Sequence, residues 1–363
     1  MSLEITGIGT SLPRRALTQA EAAELNISFA TQDPRQIHRL RALYRRTGVK
    51  NRYFALLDHD EGPPAARQAF YPPASDTQDE GPSTAVRMAR YEQDAPPLLE
   101  QSSRAALEDA RTAPEEVTHV VTVSCTGFFA PGLAPALIDR LGLSPAVERT
   151  HVGFMGCHGA LNGLRVAAGF GGADENATVL VASVELCSLH FQYGWDAERM
   201  VSNALFSDGS AAVVGRSARP GSTDWRIAAS GTYRIPDSDT EMTWRIGDHG
   251  FHMTLSPAVP DLISQHLEGW LQEWLAESDL TPEDIQSWAV HPGGPRVLTA
   301  VRTCLGLEPE AVQLSRDVLA GHGNMSSATV LFILQELRAR DAPRPCVALA
   351  FGPGLVAEAT LLL

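Results

Sequence analysis

The sequence predicts an α/β fold built from two similar halves. Three landmarks recur 167 or 168 residues apart: an acidic turn before an apolar run, at Pro114 and Pro282; a glycine and a polar residue before a helix-length stretch, at Cys157 and Asn324; and the strand-like runs TVLVASVEL and CVALAFGPG. Short apolar runs that alternate with helix-length stretches are typical of α/β proteins. We therefore expect a duplicated α/β architecture.

The first half begins with a strand and contains one long irregular segment. MSLEITGIGTSLPRR has the pattern of a short strand followed by a turn and lacks the apolar centre of an export signal. Residues 58–84 are rich in Pro, Asp and Ala and have no sustained period, which indicates a surface excursion to which we assign no chemistry. The apolar run that ends at Val123 predicts a strand, and the stretch after Cys157 predicts a helix.

The second half repeats this order. SARPGSTDW, at 217–225, interrupts both apolar periodicities, so we place the boundary there, with an N-terminal half at 1–219 and a C-terminal half at 220–363. If the halves pack around a pseudo-dyad, Cys157 and Asn324 meet at the centre, each at the start of an equivalent helix.

Composition excludes some function classes. The 363 residues include 29 basic and 43 acidic side chains, a formal net charge of −14, which argues against nucleic-acid binding and favours small-molecule substrates. No apolar run approaches the length of a membrane span, so we expect a cytoplasmic protein without membrane contact. The five cysteines contain no CxxC pair, which indicates neither a disulfide framework nor a zinc site.

Three residues in glycine-rich settings carry the predicted chemistry. Cys157 lies in GFMGCHGAL, His291 in HPGGP and Asn324 in GHGNMSSA. A thiol accepts an acyl group, an imidazole takes its proton, and a carboxamide donates to an enolate without adding charge. A thiol at a helix N-terminus beside an imidazole is expected to ionise readily. The trio suggests acyl transfer followed by carbon–carbon bond formation.

Each of these residues also has a simpler interpretation. Free cysteines are commonly buried structural residues, which is the interpretation we favour for Cys304 and Cys346. His291 could be structural or solvated, and its selection depends on its position after a strand and before a rigid turn. Asn324 could be only a helix N-cap.

The motifs, taken together, resemble a known enzyme family. GFMGCHGALNGLR, ALFSDGSAA, GFHMTLS, HPGGP, GHGNMSSATVLFIL and FGPG occur in the order found in the type III polyketide synthases, the chalcone synthase-like family, and cover most of the chain. The resemblance implies a five-layered αβαβα thiolase fold, a homodimer, acyl-CoA and malonyl-CoA as substrates, and no metal or redox cofactor.

The resemblance also implies roles for the trio. Cys157 would accept the starter acyl group, while His291 keeps its thiol ionised. His291 and Asn324 would stabilise the enolate that decarboxylation of malonyl-CoA leaves. Repeated condensation on Cys157 and a final cyclisation would give a pyrone, a resorcinol or a related phenolic product of bacterial type.

Further residues match the family's pocket and coenzyme A positions. Phe206 and Phe251 match two gatekeeping phenylalanines, for which core packing is the alternative. The cavity set comprises Cys125, Cys187 and His190, which replace threonines of the plant chalcone synthases, and Ser326. The cations at coenzyme A phosphate positions are Arg46, Lys50 and Arg52, although a basic run is often only a solvated face.

Two departures and one loop concern the product cavity. Ala350 replaces the first glycine of GFGPG and would add a methyl group near the cyclisation cavity. Bulky residues at 242–244 stand where plant enzymes have a small one and would shorten the cavity. The loop that contains Cys125 and Ala130 is the one that reaches the neighbouring subunit in this family.

Three alternatives remain open from the sequence. A ketoacyl synthase III-like enzyme would stop after one condensation and accept an acyl carrier protein, which an acidic chain would repel without a local basic patch. A cysteine peptidase also orders Cys, His and Asn but has a CGSCW-type surround that is missing here. The third is a non-catalytic dimeric binding protein on the same fold.

Overall fold

The computed structural model describes residues 3–219, 221–222 and 224–363. The N-terminal elements are β1 (Leu3–Ser11), β2 (Ala16–Thr18), α1 (Gln19–Ala30), α2 (Pro34–Arg46), β3 (Asn51–Tyr53), α3 (Thr84–Asp109), β4 (His119–Ser124), α4 (Leu133–Leu141), β5 (Glu148–Gly153), α5 (Gly159–Ala173), β6 (Thr178–Leu186), α6 (Ala197–Leu205) and β7 (Asp208–Ser217).

The C-terminal elements follow the predicted junction. They are β8 (Trp225–Arg234), β9 (Met242–Gly247), β10 (Gly250–Leu255), α7 (Val259–Ala276), β11 (Ser287–Val290), α8 (Pro295–Cys304), α9 (Gln313–His322), α10 (Thr329–Ala339), β12 (Cys346–Gly352) and β13 (Val356–Leu362). The predicted junction at 217–225 includes Pro220 and Thr223, which lie outside the described residues.

The sheet topology confirms the predicted duplication. In the described part of the chain nine strands form one sheet, in the order β11-β12-β13-β8-β1-β7-β6-β4-β5. The order β1-β7-β6-β4 repeats as β8-β13-β12-β11, and the two runs share the same sequence of antiparallel, antiparallel and parallel pairings. The two runs are joined by pairing of β1 with β8 over three residues.

Strand alternation produces the five layers of the thiolase fold. In β6, Val179 and Val181 pack with α5 and α10 in a central core, whereas Leu180 and Val184 face α3 and α4 in a second core. In the second half β12 behaves in the same way, since its Val347 and Leu349 pack with α7 and α8. Both faces of β6 and β12 are therefore covered by helices.

The segment 58–84 agrees with the predicted surface excursion. It contains one short 3₁₀ turn, Pro64–Arg67, and is mostly exposed. Tyr71 is its anchor, because this side chain is buried and donates a 2.7 Å hydrogen bond to the Ser188 carbonyl. The aromatic cluster that Tyr71 joins includes Phe29 and Phe191.

Two glycines give a matched stability test of the packing of β1 against α3. A Cβ at Gly9 would lie 2.3 Å from the Ala106 nitrogen and 2.4 Å from the Ser102 carbonyl oxygen of α3, and backbone atoms cannot move aside as a side chain can. Gly9→Ala should destabilise the protein by about 1–3 kcal/mol. Gly269→Ala, in the exposed interior of α7 with open space around it, should stabilise by up to about 1 kcal/mol. Melting temperatures that move in the same direction for both variants would contradict this packing.

Candidate active site

The nucleophile candidate lies in a turn between two layers. Cys157 is the middle residue of the 3₁₀ turn Gly156–His158 that leads into α5, and it is buried. Gly156 has φ of 70°, and a Cβ there would lie 2.3 Å from Cδ of Pro353. The FGPG turn of the C-terminal half therefore packs directly on the nucleophile turn, which explains why only glycine fits.

Asn324 approaches the same sulfur from the other half. Its main chain is held by Leu205 and Ser207, through hydrogen bonds of 2.9 Å and 2.8 Å. Its Oδ1 accepts a 2.8 Å hydrogen bond from the Ser326 amide, so its NH₂ group is left to donate elsewhere. The Ser326 hydroxyl donates to Cys157 Sγ over 3.6 Å. Asn324 precedes the 3₁₀ turn Ser326–Ala328, whereas Cys157 lies inside the equivalent turn, so the match of the two halves is shifted here.

His291 follows β11, as the sequence predicts, and is 1% exposed. Its main-chain nitrogen donates to the Leu349 carbonyl over 2.7 Å. Neither ring nitrogen has a hydrogen-bond partner within the described residues. The turn after it passes near Leu205, since a Cβ added at Gly294 would lie 3.6 Å from that side chain. Leu205 is also the residue whose carbonyl accepts from the Asn324 main chain.

Burial sets the charges of this group. Burial raises the pKa of Cys157 to about 12, although hydrogen bonds from Ser326 and Asn324 lower it. Burial, and then the nearby His158, lowers the pKa of His291 to about 3. Both groups are therefore neutral near pH 7 in this structure. The expected thiolate is wrong for this environment, because desolvation outweighs the hydrogen bonds.

One cavity brings most of the predicted site residues together. It has an empty volume of about 620 Å³. The predicted residues that line it are Cys125, Cys157, Cys187, His190, Phe206, Phe251 and Ser326. His291 and Asn324 are buried and are not among the lining residues. Thus the predicted pocket residues and Cys157 line one cavity.

An aromatic group forms one side of the cavity. Phe251 stacks on His190 with ring centroids 4.1 Å apart, and Trp244 stands edge-on to both rings. The Trp244 indole donates a 2.7 Å hydrogen bond to the Cys125 carbonyl. His190 accepts from the Phe251 amide at Nδ1 and donates from Nε2 to the Thr126 carbonyl. This ring system fixes the shape of the cavity.

The predicted coenzyme A cations divide into two groups. Arg46 and Lys50 are exposed. Arg52 was expected to bind a coenzyme A phosphate, but it is fully buried. Its guanidinium donates a 2.9 Å hydrogen bond to the Phe206 carbonyl and another to the Asn203 carbonyl. Arg52 supports the backbone of Phe206 and does not face solvent.

The residues that differ from the plant enzymes near the product cavity, and the loop after Cys125, also have defined positions. Ala350 is fully buried in the central core and is not among the cavity lining, so its added methyl group does not enter the cavity. Met242 and Trp244 do line it, as the bulk at 242–244 predicted. Phe128, in the loop after Cys125, is 50% exposed.

Sequence reasoning missed two buried ionisable groups. Glu185, fully buried at the end of β6, accepts hydrogen bonds from the Cys125 amide at 3.1 Å and the Thr126 hydroxyl at 2.7 Å. His158, next to the nucleophile, is bonded to Asn162 over 2.7 Å. A charged residue inside the otherwise apolar run TVLVASVEL was the available signal for Glu185.

Comparison with known proteins identifies the family. The N-terminal domain of chalcone and stilbene synthases matches residues 2–218, and the C-terminal domain matches residues 226–363. The chain belongs to the chalcone and stilbene synthase family, the type III polyketide synthases. It is therefore an acyltransferase of the condensing type, from a family that uses coenzyme A thioesters without a metal or redox cofactor.

Relatives of this type III polyketide synthase cover nearly the whole chain. It is 34% identical to the 1,3,6,8-tetrahydroxynaphthalene synthase of Streptomyces peucetius subsp. caesius, over 99% of this chain and 92% of the relative. It is 32% identical to the alpha-pyrone synthesis polyketide synthase-like Pks18 of Mycobacterium tuberculosis, over 98% and 90%. The crystal structure of PKS-I from the brown alga Ectocarpus siliculosus superposes with a TM-score of 0.92 at 30% identity, covering 99% of this chain and 98% of that one.

These matches favour the polyketide synthase over the three alternatives, namely the ketoacyl synthase III-like enzyme, the peptidase and the binding protein. Among residues 3–219, 221–222 and 224–363, no three His, Cys, Asp or Glu side chains group as metal ligands would. In the same residues we find no helix with the length and apolarity needed to cross a bilayer.

The buried histidine of the aromatic group predicts acid sensitivity. Burial lowers the pKa of His190 to about 3 from an ordinary value of 6.5. Below pH 6.5 the unfolded chain binds a proton at this residue that the folded protein does not, so stability falls as pH decreases. Between pH 4.5 and 6, His190→Gln should make this decline shallower by about 1.4 kcal/mol per pH unit. Unfolding measured across pH 4.5–7.5 checks this, and identical slopes for the two proteins would refute it.

Proposed function

We propose that this protein loads an acyl group from acyl-CoA onto Cys157 and extends it repeatedly with malonyl-CoA. The observation that supports this most strongly is that Cys157 lines one apolar cavity while Asn324, from the other half of the chain, hydrogen-bonds its thiol. Thiol, imidazole and amide come from three separate segments, and each is buried. Such an arrangement excludes water, which would otherwise hydrolyse a thioester.

The loading step uses the neutral pair. The Cys157 sulfur attacks the thioester carbonyl while its proton passes to His291, and the departing coenzyme A thiolate recovers that proton. One carbon–sulfur bond forms and one breaks. Because both ring nitrogens of His291 lack a partner in the described residues, the imidazole is able to move a proton without first breaking a protein hydrogen bond.

The extension step uses the two neutral donors. The Asn324 NH₂ group and His291 would hydrogen-bond the thioester oxygen of malonyl-CoA, and loss of CO₂ leaves an enolate at that oxygen. Fixed donors in a buried site stabilise such a developing charge strongly. The enolate carbon then attacks the acyl carbon on Cys157, the bond from that carbon to the Cys157 sulfur breaks, and the lengthened chain is held on coenzyme A. Attack of the freed Cys157 sulfur on its thioester returns the chain to Cys157 and releases coenzyme A.

Phe206 and Phe251 are proposed to separate the coenzyme A entrance from the cavity. Phe251 is 1% exposed and held in the aromatic stack, while Phe206 pairs in a β-bridge with Asn324 and is backed by Arg52. An apolar wall beside the malonyl carboxylate disfavours the charged ground state and so favours CO₂ loss. Core packing alone would not require both rings to line the cavity.

The product is proposed to be a small phenol or pyrone. Relatives named for tetrahydroxynaphthalene and alpha-pyrone synthesis support a cyclised product. Trp244 and Met242 occupy the cavity wall and limit the chain length that fits. Cys125, Cys187 and Ser326, together with His190, would contact the growing chain.

Arg46 and Lys50 are proposed to pair with coenzyme A phosphates, since both are exposed cations at or just beyond the end of α2, a helix that packs against α6 of the cavity wall. We further propose a homodimer. The edge strand β5 has unpaired backbone on one side, and the nearby side chains of Phe128 and Met155 are 50% and 38% exposed. A boundary between halves at 219/220 and a cytoplasmic location complete the proposal.

Asn324→Asp tests the role of the amide. A carboxylate has no NH₂ to donate and adds a negative charge beside the enolate, so release of CO₂ from malonyl-CoA should fall by about 100-fold or more. CO₂ release and product formation are measured on the same samples. Asn26→Asp, a buried change in α1 away from the cavity, is the matched control. Near-normal CO₂ release by the Asn324 variant would exclude the proposed role.

Trp244→Ala tests the limit on chain length. Removing the indole enlarges the cavity, so the variant should accept longer acyl-CoA starters or add at least one further malonyl unit. Mass spectrometry of products from a graded panel of acyl-CoA starters gives the result. Trp270→Ala removes an aromatic ring that stacks on Tyr233 and Trp274 outside the cavity and should leave the products unchanged. An unchanged product range for both variants would remove Trp244 from the account.

A further inference from the structure

Arg52 carries a positive charge into the interior of the protein. It is fully buried, and within the described residues no carboxylate forms an ion pair with it. Its Nε and Nη2 atoms also have no hydrogen-bond partner there. A buried cation of this kind costs free energy relative to an apolar side chain of similar size. Stability alone therefore does not account for an arginine at this position.

The charge of Arg52 is held by the carboxyl end of α6. Its Nη1 atom donates a 2.5 Å hydrogen bond to the Asn203 carbonyl and a 2.9 Å hydrogen bond to the Phe206 carbonyl. Helix α6 ends at Leu205, so both acceptors lie where carbonyls lack partners within the helix and the helix dipole is negative. The guanidinium carbon also lies 5.1–5.9 Å from the centres of three aromatic rings, those of Tyr44, Phe54 and Phe191.

The stem of Arg52 meets the segment that carries Asn324. A Cβ at Gly323 would lie 3.1 Å from Cγ of Arg52 and 2.9 Å from Cβ of Ser207, so the chain is packed tightly at the residue before Asn324. The main chain of Asn324 then pairs with the end of α6. Its nitrogen donates a 2.9 Å hydrogen bond to the Leu205 carbonyl, and its carbonyl accepts a 2.8 Å hydrogen bond from the Ser207 amide.

One side chain thus contacts both parts of the proposed extension site. The guanidinium of Arg52 holds the carbonyl of Phe206, its stem packs beside Asn324, and these two residues are joined by a β-bridge. In malonyl-CoA the carboxylate and the thioester oxygen belong to one small group, so the Phe206 ring and the Asn324 amide must be placed together. A displacement of about 1 Å in such a site lowers a rate by about 100-fold.

We propose that Arg52 is a positioning residue for decarboxylation, which sets the Phe206 ring and the Asn324 amide at the spacing that malonyl-CoA requires. Arg52 does not line the cavity, so it acts through these two residues and is not itself catalytic. This inference rests on the roles proposed for Phe206 and Asn324 in extension. Loading, which uses Cys157 and His291, does not depend on that spacing.

The experiment separates loading from CO₂ release. Arg52→Met removes the guanidinium, and Arg52→Lys keeps the charge and the stem but loses the planar fork. Each variant receives octanoyl-CoA alone, and the rate of acylation is followed by mass spectrometry of the intact protein. Separate samples receive malonyl-CoA, and kcat and KM for CO₂ release are measured. Arg67→Met is the control, because Arg67 is a buried arginine away from the cavity that also donates to two carbonyls, those of His59 and Ala16.

We expect Arg52→Met to lower kcat for CO₂ release at least tenfold, while the rate of loading and KM for malonyl-CoA change less than twofold. Arg52→Lys should recover part of the lost kcat, and Arg67→Met should leave kcat and loading within twofold of the wild type. If Arg52→Met does not fold, Arg52→Lys decides, with kcat for CO₂ release at least threefold below the wild type and loading intact. Equal losses of loading and CO₂ release in the variant that folds, or an unchanged kcat, would overturn the inference.

Hydrogen exchange tests the positioning without catalysis. Failure of the wild type to release CO₂ would contradict the proposed function, whereas the contacts of Arg52 would still be open to test. In the Arg52 variants the amides of Ser207 and Asn324, which lie in different halves of the chain, should both exchange at least tenfold faster, because each donates in the bridge that Arg52 supports. Mass spectrometry of peptides that contain these amides gives the rates, and unchanged exchange at either amide would overturn the inference.

Discussion

The constraint on which the structure depends is the burial of reactive groups where the two halves meet. Helices α5 and α10 form the central layer, and the turns that precede them bring Cys157 and Asn324 to one place. The fit is close because glycine is required where the FGPG turn crosses the nucleophile turn, with a hypothetical Cβ only 2.3 Å from Pro353. The duplicated fold thus supplies the site, since neither half holds all three reactive groups.

Burial also determines how the pair Cys157 and His291 would react. Desolvation disfavours both thiolate and imidazolium, so the structure holds the proton on sulfur. In such an environment a proton transfer coupled to attack on the thioester avoids a long-lived charge pair. The fully buried Glu185 behind Cys125 acts in the same direction, because its negative charge raises the pKa of Cys157.

Much of the fold was predictable from the sequence because the duplication left periodic signals. The equivalent strands β4 and β11, or β6 and β12, lie 168 residues apart at their first residues, as the repeat indicated. Cys157 and the pocket residues were singled out by short motifs, and the structure places them around one cavity. Family membership follows from the same motifs.

Other features depend on burial, which a linear motif does not report. Arg52 stands in a basic run with Arg46 and Lys50, yet it packs on the rings of Tyr44 and Phe54 inside the protein. The neutral state of Cys157 follows from desolvation by residues distant in sequence.

The central claim is that Cys157 carries the acyl chain in a cavity that contains two other cysteines, Cys125 and Cys187. The most direct test is mass spectrometry of the intact protein and its peptides after brief exposure to an acyl-CoA without malonyl-CoA. The account predicts one acyl group per chain, located on the peptide that contains Cys157. Acylation of Cys125 or Cys187 with an unmodified Cys157, or no covalent adduct at any cysteine, would contradict it.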